Sequence, residues 1–495
     1  MSVNKENIKI ILGLKLKQAR KEHKLSLAKL SEKSGLSISY LNEIEKGKKY
    51  PKPEKIHALA TALGLNFDEL VSLKLEKRLS PLSTLIKSDV LNDLPLSFFG
   101  IDSKKLVNLL ADAPTRVNAF ISAILEIARD HQLNQEHFYY SALRAYQELH
   151  LNYFEEIEES VASCTRTYGL NKKGVKSTEL KKVLHDHFNY TFKEIDLSKH
   201  SNLKGLRSVL KSGEENTLYT NPTLQESQLR FILGREIAFN FLKINERPYT
   251  FSHHIAKNFD EVLNNFKASY FSIALLINED DLHQDLETFF AKDVFDPKGI
   301  ENLLHKYKVS PEMLFQRMTN ILPKKMGLKN LFFLRFTNKD HSNYFTLNKE
   351  LHLNKLHNPH GNKIEEHYCR RWITIEVLDE LKRKQVEQKE NANIIMAQRS
   401  SYIDSENEYL CLSIARSMYP TPNANSSVTI GLLVNDKLKK KIAFLKDEKV
   451  ITKKVNATCE RCRLTDCKER VAEASIVAKK HKEELIENEI NELLN

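Results

Sequence analysis

The stretch Leu25-Ser-Leu-Ala-Lys-Leu-Ser-Glu-Lys-Ser-Gly-Leu-Ser-Ile-Ser-Tyr-Leu-Asn-Glu-Ile-Glu-Lys-Gly47 decides the reading of the N-terminal fold. Ser26 is placed to accept a hydrogen bond from the first turn of a helix of about two turns. Gly35 follows, where a left-handed residue ends that helix and turns the chain. Ser37 then caps a second short helix running to Gly47. Leu27, Leu30, Leu36, Leu41 and Ile44 are the apolar positions the two helices share, so the pair crosses steeply and one face of the second helix stays free. That face holds Ile38, Ser39, Asn42, Glu43 and Lys46. It is short and mixed in polarity, which suits insertion into a DNA major groove.

Together with Gly47-Lys-Lys-Tyr-Pro51 and Ile56-His-Ala-Leu-Ala-Thr-Ala-Leu-Gly-Leu65, this stretch resembles the Xre/Cro-type helix-turn-helix family, over residues 8–72. The resemblance implies a recognition helix that begins at Ser37. It places Ile38, Ser39, Asn42 and Glu43 at base edges and Tyr40 and Lys46 at phosphates, with Ser37 and Lys48 completing the DNA-binding set. It also implies a structural pair between Arg20 and Glu45. Leu27 departs from the family, which commonly has a glutamine contacting phosphate there. The implied partner is double-stranded DNA, and such a head needs no cofactor.

Charge agrees with this. The chain carries a net charge of +11, and residues 1–78 hold 17 Lys/Arg against 9 Asp/Glu. Most of the excess therefore sits in one small domain, as expected where protein meets phosphate. The 495 residues are too many for one core, and about three or four domains are expected. Hydrophobic residues at 41% and charged residues at 28% are ordinary globular values. No apolar run approaches the roughly 18 residues that span a bilayer, so no membrane partner is expected. The first residues, Met1-Ser-Val-Asn-Lys-Glu-Asn, carry charge where an export signal is apolar. The spread of the six cysteines is no disulfide scaffold, and a reducing cytoplasm fits it.

The expected fold class is multidomain. An all-α helix-turn-helix head (1–75) precedes a helical linker or dimerisation region (76–175), where Val117, Phe120, Ile121, Ile124, Leu125 and Ala128 recur at helical spacing. An α+β domain (176–335) and an α+β cysteine-containing domain (336–475) follow. Strands are expected near Thr217–Thr220, Leu331–Phe336, Tyr409–Arg416 and Val428–Val434, and residues 476–495 form a charged helical tail.

Within 216–244 a strand leads into a helix containing Arg230-Phe-Ile-Leu-Gly-Arg-Glu-Ile-Ala-Phe239. This is similar to the ImmA/IrrE metallopeptidase family, whose helix carries His-Glu-x-x-His, with both histidines on one face holding zinc and the glutamate acting as general base. Arg235 and Phe239 occupy the two ligand positions here and only Glu236 remains. Arginine offers no lone pair at neutral pH and phenylalanine has none. The expectation is a degenerate scaffold without catalytic residues, with Arg235 and Glu236 forming a structural ion pair. His253 and His254 are adjacent rather than four apart and make a poor replacement on a helix.

The densest chemical signal is Cys459-Glu-Arg-Cys-Arg-Leu-Thr-Asp-Cys467, a C-x2-C-x4-C spacing. Two thiols across a tight turn can face one metal ion, and Arg461, Arg463, Lys468 and Arg470 are expected to lower their pKa. Cys369 is the first candidate for a fourth ligand and His367 the second. Thiolates suit zinc or an iron–sulfur cluster, while reduced unliganded cysteines or a redox pair stay open. Cys164 and Cys411 read as buried apolar residues, and His352, His357 and His360 as solvated loop histidines. Ile451-Thr through Cys459–Arg470 looks like the C-terminal signature of the short-chain fatty acyl transcriptional regulators, with Cys369-Arg-Arg-Trp372 echoing their Cys-Pro-x-Trp element. That family joins an Xre-type head, an ImmA/IrrE-like middle and a cysteine-bearing end. It implies a short-chain acyl-CoA or related metabolite as effector.

The leading expectation is an effector-responsive, sequence-specific DNA-binding regulator, homodimeric because single heads read half-sites. The alternatives are a regulatory metallopeptidase, which needs intact zinc ligands, and an antitoxin-like DNA-binding interaction protein, which needs a toxin partner.

Overall fold

The computed structural model describes residues 5–72, 135–170, 174–200, 202–203, 205–248, 256, 258–339, 343–353, 366–388, 393–403, 405–418, 421 and 423–494. The helical run at 117–128 and His253, His254, His357 and His360 lie outside the described residues. The chain divides into two compact units, Met1–Ala142 with Lys257–Phe259, and Leu143–Ala256 with Asp260–Asn495. Among the described residues no helix is long and apolar enough to cross a membrane.

In the first unit, α1 (Lys5–Glu22), α2 (Leu27–Ser34), α3 (Ile38–Glu45), α4 (Pro53–Leu63) and α5 (Phe67–Val71) enclose a small core. Leu12, Leu16, Leu30, Leu41, Ile44, Ile56, Leu59, Leu63 and Leu70 fill it, with Leu27 and Leu36 packed at its margin. The boundaries follow from local chemistry. Ser26 Oγ accepts from the Lys29 N–H at 3.1 Å and Ser37 Oγ accepts from the Tyr40 N–H at 3.2 Å. Gly35 adopts φ +67° and donates its N–H to the Ser31 carbonyl at 2.9 Å, closing α2 in a conformation that costs other residues more. Replacing Ser37 by alanine is expected to remove about 1 kcal/mol by orphaning the first-turn N–H groups of α3, visible as a lower melting midpoint with unchanged far-UV dichroism. Gly13 lets α1 lie directly on α3, since a Cβ there would stand 2.3 Å from the Ile44 carbonyl oxygen.

Before the second unit's sheets run α6 (Gln135–Leu149), α7 (Glu155–Thr167) and α8 (Ser177–Phe188). A three-stranded sheet has the order β1 (Tyr190–Glu194), β3 (Asn216–Thr220), β2 (Ser208–Lys211), with β1 parallel and β2 antiparallel to β3. The helix α9 (Glu226–Phe241) follows and is buried from Arg230 to Phe239, which explains its apolar residues on nearly every face. It lies among α10 (Phe259–Leu276), α11 (Glu279–Phe290), α12 (Pro297–Tyr307) and α13 (Pro311–Lys325). Arg230, 1% exposed, donates to the carbonyls of Tyr307 and Lys308 and so caps the end of α12. Arg317, equally buried, pairs with Glu158 and donates to the Ile277 carbonyl, fastening α13 to α7 and α10.

The larger sheet has six strands. They are β4 (Leu331–Lys339), β5 (Thr346–His352), β6 (Ile394–Tyr402), β7 (Glu408–Ser417), β8 (Ala424–Leu433) and β9 (Thr452–Val455), in the order β5-β4-β8-β7-β6-β9. Alternation assigns its two faces. Leu331, Phe333, Leu410, Leu412, Ile414, Val428 and Ile430 join the core built by α7–α13. Phe332, Leu334, Phe336, Tyr409, Cys411 and Ala415 face a second core beneath α14 (Ile373–Gln388). The expected multidomain, helical-then-α+β organisation is therefore present, but the division placed at 335/336 falls inside β4, and one core runs across it from Phe154 to Val450. The short α15 (Asp436–Lys441) follows β8, and the terminal α16 (Ser475–Leu494) buries none of its residues.

Candidate nucleic-acid interface and companion sites

The free face of α3 begins at its cap. Ser37, Ile38 and Ser39 are exposed, Tyr40, Asn42 and Glu43 are half-buried, and Lys46 and Lys48 are exposed just beyond the helix. Lys49, Lys52 and Lys55 continue the exposed basic edge. Lys49 and Lys55 flank the Tyr40 ring at 5.7 and 4.5 Å from its centroid. Lys49 also pairs with Glu43 at 2.7 Å, and that hydrogen bond, with its charge, holds the Glu43 carboxyl below its ordinary value. Glu43 thus has an intramolecular partner in Lys49.

Behind this face, Arg20 Nε and Nη2 donate to the two Glu45 oxygens at 2.6 and 2.9 Å, and Nη1 donates to the Leu25 carbonyl at 2.9 Å. The paired side chains are 13% and 6% exposed. This two-pronged contact fixes the rear of α3 against α1 and sets which side of α3 points outward.

In the second unit, α9 carries Arg235, Glu236 and Phe239. Glu236 does not pair with Arg235; successive helix residues project about 100° apart and do not face each other. Its partner is Arg247, whose Nη2 donates to both Glu236 oxygens at 2.7 and 2.6 Å. The Tyr190 hydroxyl donates to the same carboxylate at 2.9 Å. The Arg247 guanidinium lies 4.0 Å from the Phe239 ring centroid, so that ring serves as its stacking surface. Arg235 donates instead to Asn265 Oδ1. Burial pushes its guanidinium down to about 9, with Arg247 adding to that effect and Glu236 opposing it. The Glu236 carboxylate is thus enclosed by a guanidinium and a phenol. Neither partner was legible from spacing, Tyr190 lying 46 residues before Glu236 and Arg247 11 residues after it.

A third constellation forms near the C-terminus. Residues 367–369 pair with 457–459 through Cys459 N–H to the His367 carbonyl at 2.9 Å and Cys369 N–H to the Ala457 carbonyl at 3.2 Å. Cys462 N–H closes the turn onto the Cys459 carbonyl at 3.2 Å. Cys369, Cys459, Cys462 and Cys467 consequently line one cavity of about 10 Å³. His367 is engaged by Glu460 at 2.8 Å and does not line this cavity. Among the described residues no three His, Cys, Asp or Glu side chains already stand in metal-holding geometry.

The basic residues do not act as expected on two of these thiols. Burial pushes Cys369 up to about 11, and burial also raises Cys467. Arg470 donates instead to the carbonyls of Cys459, Cys462, Leu464 and Ala472, and Arg461 pairs with Glu366 at 2.6 Å. These arginines hold the loop's backbone and a neighbouring carboxylate. Cys164 and Cys411 are buried. His352 is buried at the end of β5 rather than solvated, because the strand extends through it.

Comparison with known proteins places two of these regions. Residues 16–70 match the family model described as helix-turn-helix, and residues 181–319 match the IrrE N-terminal-like domain. The head is a helix-turn-helix domain of the Xre type. It is 40% identical over 60 residues to the immunity repressor protein of Bacillus phage phi105, an alignment covering 12% of this chain. The chain spans 42% of the length of that relative. Among solved structures, a Mycobacterium tuberculosis transcriptional regulator is 13% identical with a TM-score of 0.46, over 68% of this chain and 93% of that one. The apo form of the competence regulator ComR from Streptococcus vestibularis is 17% identical with a TM-score of 0.13, over 65% of this chain and 87% of that one. Neither structural likeness is close enough to establish a shared fold.

Proposed function

We propose that this protein is a sequence-specific DNA-binding transcription regulator whose second unit answers to a small effector. The observation that carries the reading is the exposed Ser37–Lys48 face, presented by two serine-capped helices and locked from behind by Arg20 and Glu45. The phage immunity repressor shares this head and supports the same reading. Base readout falls to Ile38, Ser39 and Asn42, with Glu43 joining once released from Lys49. Tyr40, Lys46 and Lys48 meet phosphate. A homodimer supplies the second head for a two-part operator. Genome-wide mapping of bound DNA, followed by gel shifts on the recovered sites, tests the proposal. Binding without any enriched sequence would overturn it.

The effector, on this reading, is a short-chain acyl-CoA or a related metabolite that stabilises one of two states of the chain, and its influence is bounded by its differential affinity for them. A thermal-shift series over acyl chain lengths is expected to find one that raises the melting midpoint; no shift at any length counts against it. The metallopeptidase alternative draws on the match of residues 181–319 to the IrrE-like domain. It is the weaker reading because a protonated guanidinium and a phenyl ring cannot ligate zinc. Glu236, clamped by Arg247 and Tyr190, then serves as a buried structural anion.

The donor set of the cysteine cavity fits a soft metal. Cys369, Cys459, Cys462 and Cys467 would hold it, after side-chain adjustment, on a loop fixed by Arg470. Zinc would supply a structural clamp and an iron–sulfur cluster a redox-sensitive centre. Protein purified anaerobically is expected to carry zinc, or iron with visible absorption, and Cys459→Ser and Cys462→Ser to lose it. Metal-free wild-type protein with native dichroism would refute the site.

A further inference from the structure

Three strands bring cations to one corner of the large sheet. Arg335 on β4 is directly opposite Lys349 on β5, and two residues on, Thr337 aligns through Ser426 of β8 with Arg416 of β7. By alternation all three cations share the face that packs on α7–α13. Glu312, in the first turn of α13, meets Arg335 at 3.2 Å and Lys349 at 2.5 Å. Arg207, just before β2, also lies within electrostatic reach of Glu312 and Arg335, and Arg416 within reach of all three. Four cations therefore converge on one carboxylate.

Within this group the ion pairing is incomplete. Arg335 and Lys349 share Glu312, whereas among the described residues neither the Arg207 nor the Arg416 guanidinium has a hydrogen-bond or ion-pair partner. Both are half-buried. Burial lowers the pKa of each, and the crowding cations add to this. Glu312 shows the complementary effect: burial would raise it, but Lys349, Arg335 and Arg207 hold it well below the ordinary carboxylate range. Partly desolvated arginines facing one another without enough anions are costly to assemble, and the cost is offset when an oxyanion enters among them. Two planar forks with free N–H groups match phosphate oxygens in geometry as well as charge.

We propose that Arg207, Arg416 and Arg335 form a binding site for the phosphate group of a small molecule, with Lys349 and Glu312 positioning Arg335 at its edge. The site deepens the effector reading above and rests on it: this corner would hold the effector's anionic end. A small molecule fits better than a nucleic-acid backbone because the guanidinium groups are recessed against the sheet rather than displayed on an exposed edge such as Lys46–Lys55.

The test is calorimetric titration of pyrophosphate into the full chain at constant ionic strength set with chloride. Saturable binding is expected for wild type, with Arg207→Gln and Arg416→Gln each weakening it by about tenfold or more, the loss of a charge-assisted contact. In chloride alone both variants should melt no lower than wild type, because each removes a crowded cation. Absence of pyrophosphate binding, binding indifferent to both substitutions, or binding of citrate without pyrophosphate would each overturn the proposal. Gel shifts on operator DNA are expected to be unchanged by both substitutions. Loss of DNA binding in both variants with native melting would make the cluster a DNA contact and overturn it. Failed pyrophosphate binding beside intact operator binding would remove this site and leave the regulator reading standing.

Discussion

With Ser39 and Asn42 both replaced by alanine, the protein is expected to lose about thirtyfold or more of its affinity for its operator while retaining its fold. A well-placed side-chain contact to a base edge contributes about 1–3 kcal/mol of discrimination, and two such contacts are removed together. Both side chains lie on the outward side of α3, away from Leu41 and Ile44, which are fully buried. The core of the head is untouched. What should survive is weak, salt-sensitive binding to any duplex, because Lys46, Lys48, Lys49, Lys52 and Lys55 still present their charges. Gel shifts with and without competitor DNA separate the two components. Operator affinity equal to that of wild type would refute the assignment of α3 as the reading helix.

Glu45→Ala should act through the opposite route, by collapsing the head. Arg20 is 13% exposed, and two of its three hydrogen bonds go to Glu45. Deleting the carboxylate leaves a nearly buried guanidinium without its counter-charge, a change that costs about 3–5 kcal/mol. A domain of this size holds only about 4–10 kcal/mol in total. A large fraction of heads should therefore be unfolded near the temperature at which wild type is intact. Limited proteolysis of residues 5–72 and loss of both specific and non-specific DNA binding would report it. Glu45→Gln keeps an acceptor for one N–H and should restore part of the loss. A melting profile of Glu45→Ala superimposable on wild type would show that the pair contributes nothing to the head.

The head was readable because its determinants are local. Ser26, Gly35 and Ser37 each act within four residues of themselves, through a cap or a left-handed turn, so spacing alone exposes them. The Arg20–Glu45 pair spans 25 residues and was reachable only through resemblance to a family. The similarity of the α9 segment to an IrrE-like helix is visible in its sequence, yet the network around Glu236 is not, since Tyr190 and Arg247 bear no fixed spacing to Glu236. For the cysteines, the turn at 459–462 is legible from spacing, whereas the approach of Cys369, some ninety residues away, depends on the pairing of 367–369 with 457–459, which no local pattern encodes. The cationic corner left no trace in sequence at all. Arg335, Lys349 and Arg416 sit on three separate strands and Arg207 just before β2, and only strand register gathers the first three. The core common to the peptidase-like helices and the large sheet escaped for the same reason: two amphipathic patterns can each look complete while one serves as the other's cover.

That common core has a consequence for how the protein is made. Helices α7–α13 bury their apolar surface against β4, β7 and β8, and the last contributor, Val450, emerges long after α13 has been synthesised. At the usual pace of roughly 5–20 residues per second, the nascent chain spends on the order of ten seconds with those helices formed and their partner strands still inside the ribosome or not yet translated. During that interval the exposed apolar faces are natural clients for chaperones that attend emerging chains. Truncations that stop between residues 326 and 408 would prolong the interval indefinitely, yielding aggregates or degradation products rather than a shorter working protein.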